Sequence, residues 1–162
     1  MFTEKKLNSR TERYEELEMS VRYTLADETD IICGLSMASA IINVYIDSIN
    51  WVGFYILKNG ELVLGPFQGL PACIRIAVGK GVCGTAAKEG RTVIVKDVNE
   101  FPGHIACDVC SNSEIVIPIF TNGELYGVLD IDSHEIGRFD QEEAKCLEAV
   151  ARDIGEFVRR CL

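Results

Sequence analysis

The sequence predicts an α+β fold, a mainly antiparallel central sheet with helices packed on one side. Three observations carry this expectation. Apolar residues recur at helical spacing near both ends of the chain, at Tyr14, Leu17, Val21 and Leu25 and again at Ala144, Leu147, Val150, Ala151, Ile154 and Val158. Between these ends the runs are short and β-type, and two pairs of them flank Asn59-Gly60 and Asn122-Gly123, the strongest short hairpin signal. Strands that run consecutively, instead of alternating with helices, favour antiparallel pairing. A chain of 162 residues, 48% of them hydrophobic, has the size of one domain and can bury a core.

Taken in order, Ser9-x-x-Glu12 is a capping box that opens an amphipathic helix to about Leu25. Asp27 to Asp30 is a polar break, and Ile31 to Ile46 is apolar enough for a second, well-buried helix. Trp51 to Leu57 and Leu62 to Phe67 are the first hairpin, and Cys73 to Val78 is a third strand. Gly79 to Gly84 opens a short helix to about Glu89, closed by Gly90, before a β run from Thr92 to Val95. Asp97 to Ser113 reads as a long loop holding Pro102, Gly103, His104, Cys107 and Cys110, a length at which loops are usually functional. Ile115 to Phe120 and Leu125 to Ile131 form the second hairpin, and a closing helix runs from Asp140.

A formal net charge of −9 disfavours nucleic acid and anionic membrane surfaces, both of which are held through Lys and Arg. No apolar run reaches the roughly 20 residues of a membrane helix. Met1 to Arg13 lacks the apolar stretch of a signal peptide, so a cytoplasmic location is expected. In that reducing compartment, an odd seven cysteines point to catalysis or metal before a disulfide framework. Gly79-Lys80-Gly81 lacks the rest of a Walker loop, and the His-x-Glu and Pro-Cys-x-x-Cys halves of the zinc deaminase signature are both missing.

Five stretches, Asn50-Trp51-Val52-Gly53-Phe54-Tyr55, Leu64 to Gly69, Gly79 to Gly84, Phe101 to Asp108 and Ser113 to Pro118, resemble the free methionine-(R)-sulfoxide reductase family. The likeness runs from about Trp51 to Ser133 and keeps the family's three cysteines as Cys73, Cys83 and Cys107. It implies a single GAF-like domain over residues 1–162, with helices over about 10–46, sheet and active-site loops over 50–133 and a last helix over about 140–161. It also implies a homodimer, reduction of free methionine sulfoxide, and a thioredoxin-like reductant as electron donor.

Sulfoxide reduction needs a thiolate that attacks sulfur beside an acid that protonates the departing oxygen. The resulting sulfenic acid is resolved by a second thiol, and no cofactor is expected. Spacing alone leaves Cys107 either a loop nucleophile or a small buried hydrophobe. The resemblance implies the nucleophile, with Cys83 and Cys73 as candidate resolving thiols. Cys110 departs from the family pattern and makes Cys107-x-x-Cys110 a C-x-x-C pair, but zinc would require a second pair that the sequence does not offer. His104 stands close enough in sequence to orient or deprotonate Cys107. Cys33, Cys146 and Cys161 fall on predicted helices and read as incidental or buried thiols.

Glu114, Asp130 and Asp132 are the candidate polar wall, for which the resemblance implies substrate binding. Asp130 and Asp132 are two apart on a strand and so share a face. Clustered carboxylates bind an ammonium group, and their crowding raises the proton affinity of one member. Trp51 and Tyr55, four apart on a strand, are either core aromatics or the aromatic pocket for the thioether end that the resemblance implies. The second hairpin decides whether Glu114 joins this wall. A two-residue turn at Asn122-Gly123 puts Glu114 opposite Ile131, on the wrong face. A three-residue loop, Thr121-Asn122-Gly123, puts Phe120 opposite Glu124 and Glu114 opposite Asp130. The three-residue loop is the expectation, a bulge elsewhere, at Pro118 for example, being the other way to restore parity. A non-catalytic GAF-type sensor of a small molecule or oxidant is the competing function.

Overall fold

The computed structural model describes residues 9–103 and 111–162. Its elements are α1 (Arg10–Leu25), α2 (Ile31–Tyr45), β1 (Trp51–Lys58), β2 (Glu61–Gln68), β3 (Arg75–Ala77), α3 (Gly81–Glu89), β4 (Val93–Val95), β5 (Ser113–Thr121), β6 (Glu124–Ser133) and α4 (Gln141–Cys161). A 3₁₀ turn over Val98–Glu100, capped by Asp97, occupies the start of the segment expected to be irregular.

Local sequence accounts for the ends of the elements. Ser9 and Glu12 close the capping box of α1 reciprocally, and Asp30 and Asp140 cap α2 and α4 by accepting from the third residue of each helix. Gly90 ends α3 with a left-handed φ of 63°. All strand neighbours pair antiparallel, in the order β3-β2-β1-β6-β5-β4. Gly65 and Pro66 fall where the β1–β2 register shifts, the kind of place where proline is tolerated inside a sheet.

Alternation sorts the strand residues onto two faces. Val52, Phe54, Ile56, Ile115, Ile117, Ile119, Leu129 and Ile131 pack into one core with buried residues of α1, α2 and α4. The three long helices thus share one side of the sheet, as the sequence led us to expect. Trp51, Tyr55, Leu62, Val116 and Val128 point the other way and form a second, smaller core with α3. The candidate site lies between this short helix and the sheet.

The second hairpin corrects the expected three-residue loop. Thr121 pairs with Glu124 across a two-residue turn, with Asn122 and Gly123 at φ of 51° and 81°. Positive φ at both positions is the mirror-image turn whose twist matches that of the flanking strands, which is why Asn-Gly closes the hairpin in two residues. Parity is restored by a bulge instead: Phe120 pairs with Leu125 but Ile119 pairs with Gly127. Glu114 therefore lies opposite Asp132, not Asp130, and still shares a face with both.

The helical layer is clamped by one buried carboxylate. Glu143 of α4 is fully buried and pairs with Arg138 at 2.7 Å, while the Tyr14 hydroxyl donates to it at 2.9 Å. Arg138 donates further to the Asp47 carbonyl at 2.8 Å, so that α1, α4 and the α2–β1 connection meet at one charge. α4 meets the sheet closely enough at Gly155 that a Cβ there would lie 2.2 Å from the Phe120 carbonyl oxygen. Gly→Ala in an open helix stabilises by about 1 kcal/mol. At position 155 the sign reverses because the added carbon meets backbone, and Gly155→Ala is expected to cost about 2 kcal/mol or more in urea unfolding.

Candidate active site

β1 and β6 bring the aromatic and acidic residues together. Trp51 lies opposite Asp132, Gly53 opposite Asp130 and Tyr55 opposite Val128, while on the far side of β6 Glu114 lies opposite Asp132. All of these residues project from the face that α3 covers, and α3 lowers Cys83 onto them.

Trp51 is 2% and Tyr55 1% exposed. Trp51 stacks on Phe67 at a ring separation of 5.4 Å and on Tyr55 at 6.0 Å. Gly53 makes the first stack possible, because a Cβ there would lie 2.4 Å from that of Phe67 and 2.6 Å from the Trp51 ring. Both aromatics also use their polar ends: the Trp51 indole donates to the Leu70 carbonyl at 3.0 Å and the Tyr55 hydroxyl to the Cys73 carbonyl at 2.9 Å. The aromatic wall thus holds the segment after β2, and with it Cys73.

The acidic wall is dry. Glu114 and Asp130 are each 6% exposed, Asp132 is half-buried, and Asp130 Oδ1 has no hydrogen-bond partner. Cys83, 3% exposed, points its thiol at Glu114 Oε1 at 3.8 Å, and the Cys83 sulfur lies within 4.8 Å of one carboxylate oxygen each from Glu114 and Asp130. Burial pushes the carboxyl of Glu114 well above the ordinary range, helped by the charges of Asp130 and Asp132. Burial pushes Asp130 up to about 6. The Cys83 thiol is raised well above its ordinary value, first by burial and then by Asp130 and Glu114, so it stays protonated. One site therefore combines a carboxyl that holds its proton, Glu114, and one raised toward neutrality, Asp130, with an apolar aromatic surface. It can bind a small molecule that has a cationic end and an apolar end, and can protonate an oxygen.

Cys73 is disulfide-bonded, whereas Cys33, Cys83, Cys146 and Cys161 are free. Cys107, Cys110 and His104 lie outside the described residues. Of the residues singled out in the sequence, Trp51, Tyr55, Cys83, Glu114, Asp130 and Asp132 converge on one place, and Cys73 is tied to its edge. Cys83 sits inside a helix over the carboxylates and not in an open loop. Phe67 was not among the candidates. Its signal is its position after the Gly65-Pro66 irregularity, which turns it toward Gly53 and hence Trp51. Asn50, whose side chain donates to Ser111 Oγ at 3.1 Å, was also missed, and its pairing with a distant segment left no local mark.

A sheet with three long helices on one face and a short helix over a buried acidic and aromatic cluster on the other defines a single α+β domain. A GAF domain family model matches residues 36–159, and the chain belongs to that family. The free methionine-R-sulfoxide reductase of Escherichia coli (strain K12) is 44% identical, with 90% of this chain and 88% of that protein covered. The protein of the same name from Saccharomyces cerevisiae (strain S288c) is 44% identical, over 91% of this chain and 87% of its own. The X-ray structure of free methionine-R-sulfoxide reductase from Neisseria meningitidis in complex with its substrate superposes with a TM-score of 0.92 at 39% identity, covering 96% of this chain and 94% of that one. Among the described residues, no helix is long and apolar enough to cross a membrane.

The raised carboxyls give a pH signature. A carboxyl that holds its proton more tightly folded than unfolded penalises folding as pH rises, starting near the ordinary aspartate value of about 4 and fully developed above about 6. Asp130→Asn keeps the shape and removes this penalty. Its unfolding free energy should gain on the wild type by on the order of 2 kcal/mol across that window. Stability curves that run parallel from about pH 4 to about pH 7 would refute the assignment.

Proposed function

We propose that the chain is a thiol-dependent oxidoreductase that reduces the (R)-sulfoxide of free methionine. The observation that carries this reading is the buried Glu114–Asp130 pair set beside the Trp51–Phe67 stack. Such a pocket suits a molecule with an ammonium group at one end and a methyl thioether at the other. The likeness to reductases over nine-tenths of the chain supports it.

In this mechanism the Cys107 thiolate attacks the sulfoxide sulfur. As the sulfur–oxygen bond breaks, the oxygen passes to the Cys107 sulfur, methionine leaves, and Cys107 becomes a sulfenic acid. Glu114 or Asp130 supplies the proton that the oxygen needs, and Asp132 with the remaining carboxylate binds the ammonium group. A second thiol then displaces water and forms a disulfide, which a thioredoxin-like dithiol reopens. Cys73 is the better resolving thiol of the two candidates, because it is disulfide-bonded here and held by Tyr55 at the pocket edge. Cys83 is buried with its proton held, so its role is to line the pocket.

We further propose a homodimer in the cytoplasm. The exposed apolar residues that support it are Met19 and Tyr23 of α1 and Ile32 and Val44 of α2, which puts the contact on these two helices. Light scattering at micromolar concentration should give twice the monomer mass, and Tyr23→Glu should shift it toward monomer.

The decisive assay is incubation of racemic free methionine sulfoxide with a dithiol reductant, followed by chiral analysis. Only the (R) epimer should disappear. Cys107→Ser should abolish the reaction, Cys73→Ser should give one round per active site and then stall with thioredoxin, and Cys83→Ser should still recycle. Consumption of substrate by Cys107→Ser at near the wild-type rate, or no consumption by the wild type, would leave the sensor as the better reading.

A further inference from the structure

Cys83, Glu114 and Asp130 together offer a donor set of which the proposed reduction uses only the two carboxylates. One ligand atom from each lies within 4.8 Å of the others, and Cys83 Sγ is 3.8 Å from Glu114 Oε1. A tetrahedral centre with sulfur at about 2.3 Å and oxygen at about 2.0 Å holds those two donors about 3.5 Å apart, so the observed spacing requires only a small side-chain adjustment. A second observation points independently to a ligand. Asp130, 6% exposed, leaves Oδ1 without a hydrogen-bond partner, a vacancy that a protein core rarely tolerates. Among the described residues, the groups acting on Glu114 and Asp130 are carboxylates and a thiol, none of them a cation.

We propose that Cys83, Glu114 and Asp130 form a binding site for a divalent cation of the zinc class. A divalent ion displaces the Cys83 proton to solvent, and the resulting thiolate selects zinc over magnesium and calcium, which prefer all-oxygen sets. Three protein donors leave a fourth position open to water or a small ligand, the donor count of sites that exchange what they hold. The donors come from α3, β5 and β6, so an ion there ties the short helix to the sheet over the pocket. Occupancy fills the acidic wall and excludes any molecule that uses it, which makes the metal an inhibitor of whatever the pocket binds. This site differs from Cys107-x-x-Cys110, which shares no residue with it.

The test uses the full chain, reduced, titrated with Co²⁺ and then with Zn²⁺. One equivalent of Co²⁺ should produce a sulfur-to-cobalt charge-transfer band and tetrahedral ligand-field bands that Zn²⁺ abolishes. The bands should persist in Cys107→Ser and vanish in Cys83→Ser, and Asp130→Asn, a near-isosteric change that covers the case of a misfolded Cys83 variant, should weaken Co²⁺ binding about tenfold or more. Absence of a charge-transfer band in the wild type, its survival in Cys83→Ser, its loss in Cys107→Ser, or equal affinity in Asp130→Asn would each overturn the site. The readout is a metal spectrum and not turnover, so it stands or falls apart from the sulfoxide reading.

Discussion

The register of β6 against its two neighbours is the constraint on which the rest of the site depends. Three carboxylates and two aromatics share a face only because Glu114 lies opposite Asp132 on one side of β6 and Trp51 lies opposite the same residue on the other. Side chains alternate with a period of two, so a slip of one residue anywhere along β5 would turn Glu114 into the helical core and Ile115 into the pocket. The bulge between Ile119 and Phe120 prevents that slip, and it works because the turn beyond it is a tight two-residue one. Gly127, at the bulge, carries the same constraint sideways: a Cβ there would lie 2.2 Å from the Tyr55 carbonyl oxygen. Hairpin geometry, strand spacing and pocket chemistry are thus one arrangement.

Two kinds of buried carboxylate coexist in the domain, and they divide stability from chemistry. Glu143 is satisfied on every side, by Arg138, by Tyr14 and by its place in the first turn of α4, and it holds helices together. Removing a partner from such a pair leaves a charge uncompensated in a dry interior. Glu114 and Asp130 are equally dry but lie among like charges, and among the described residues no basic group acts on them. That arrangement costs folding free energy above the pH at which the acids would ionise in water. Its return is a pair of groups that hold protons where solvent-exposed carboxylates would have lost them. The six-stranded sheet and two apolar cores supply the stability that lets the pocket stay electrostatically unfavourable.

The aromatic wall shows the same economy of structure. Trp51 and Tyr55 are core residues by burial, stacked and nearly inaccessible, and each sends its one polar atom to a carbonyl of the segment after β2. Being core and being pocket are not alternatives here. The rings are positioned by packing, and in turn they position Cys73.

Much of this protein was determined by its sequence alone, because the signals concerned are local. Ser9 with Glu12, Asp30, Gly90 and Asp140 mark helix ends through bonds to atoms three or four residues away, and the two Asn-Gly pairs mark hairpins through the φ angles that they tolerate. Alternation along β1, β5 and β6 showed that Asp130 and Asp132, like Trp51 and Tyr55, share a face. The tertiary structure decided what depends on counting across strands or on packing from a distance. It decided that the second hairpin turns in two residues and recovers its parity at a bulge, that Phe67 turns toward Trp51, that α3 covers the face opposite the other helices, and that Cys83 lies over the carboxylates. The physical reason is the same in each case. A bulge, a stack or a helix seated on a sheet is chosen by the total free energy of packing, to which residues far apart in sequence contribute, and no window along the chain contains that sum.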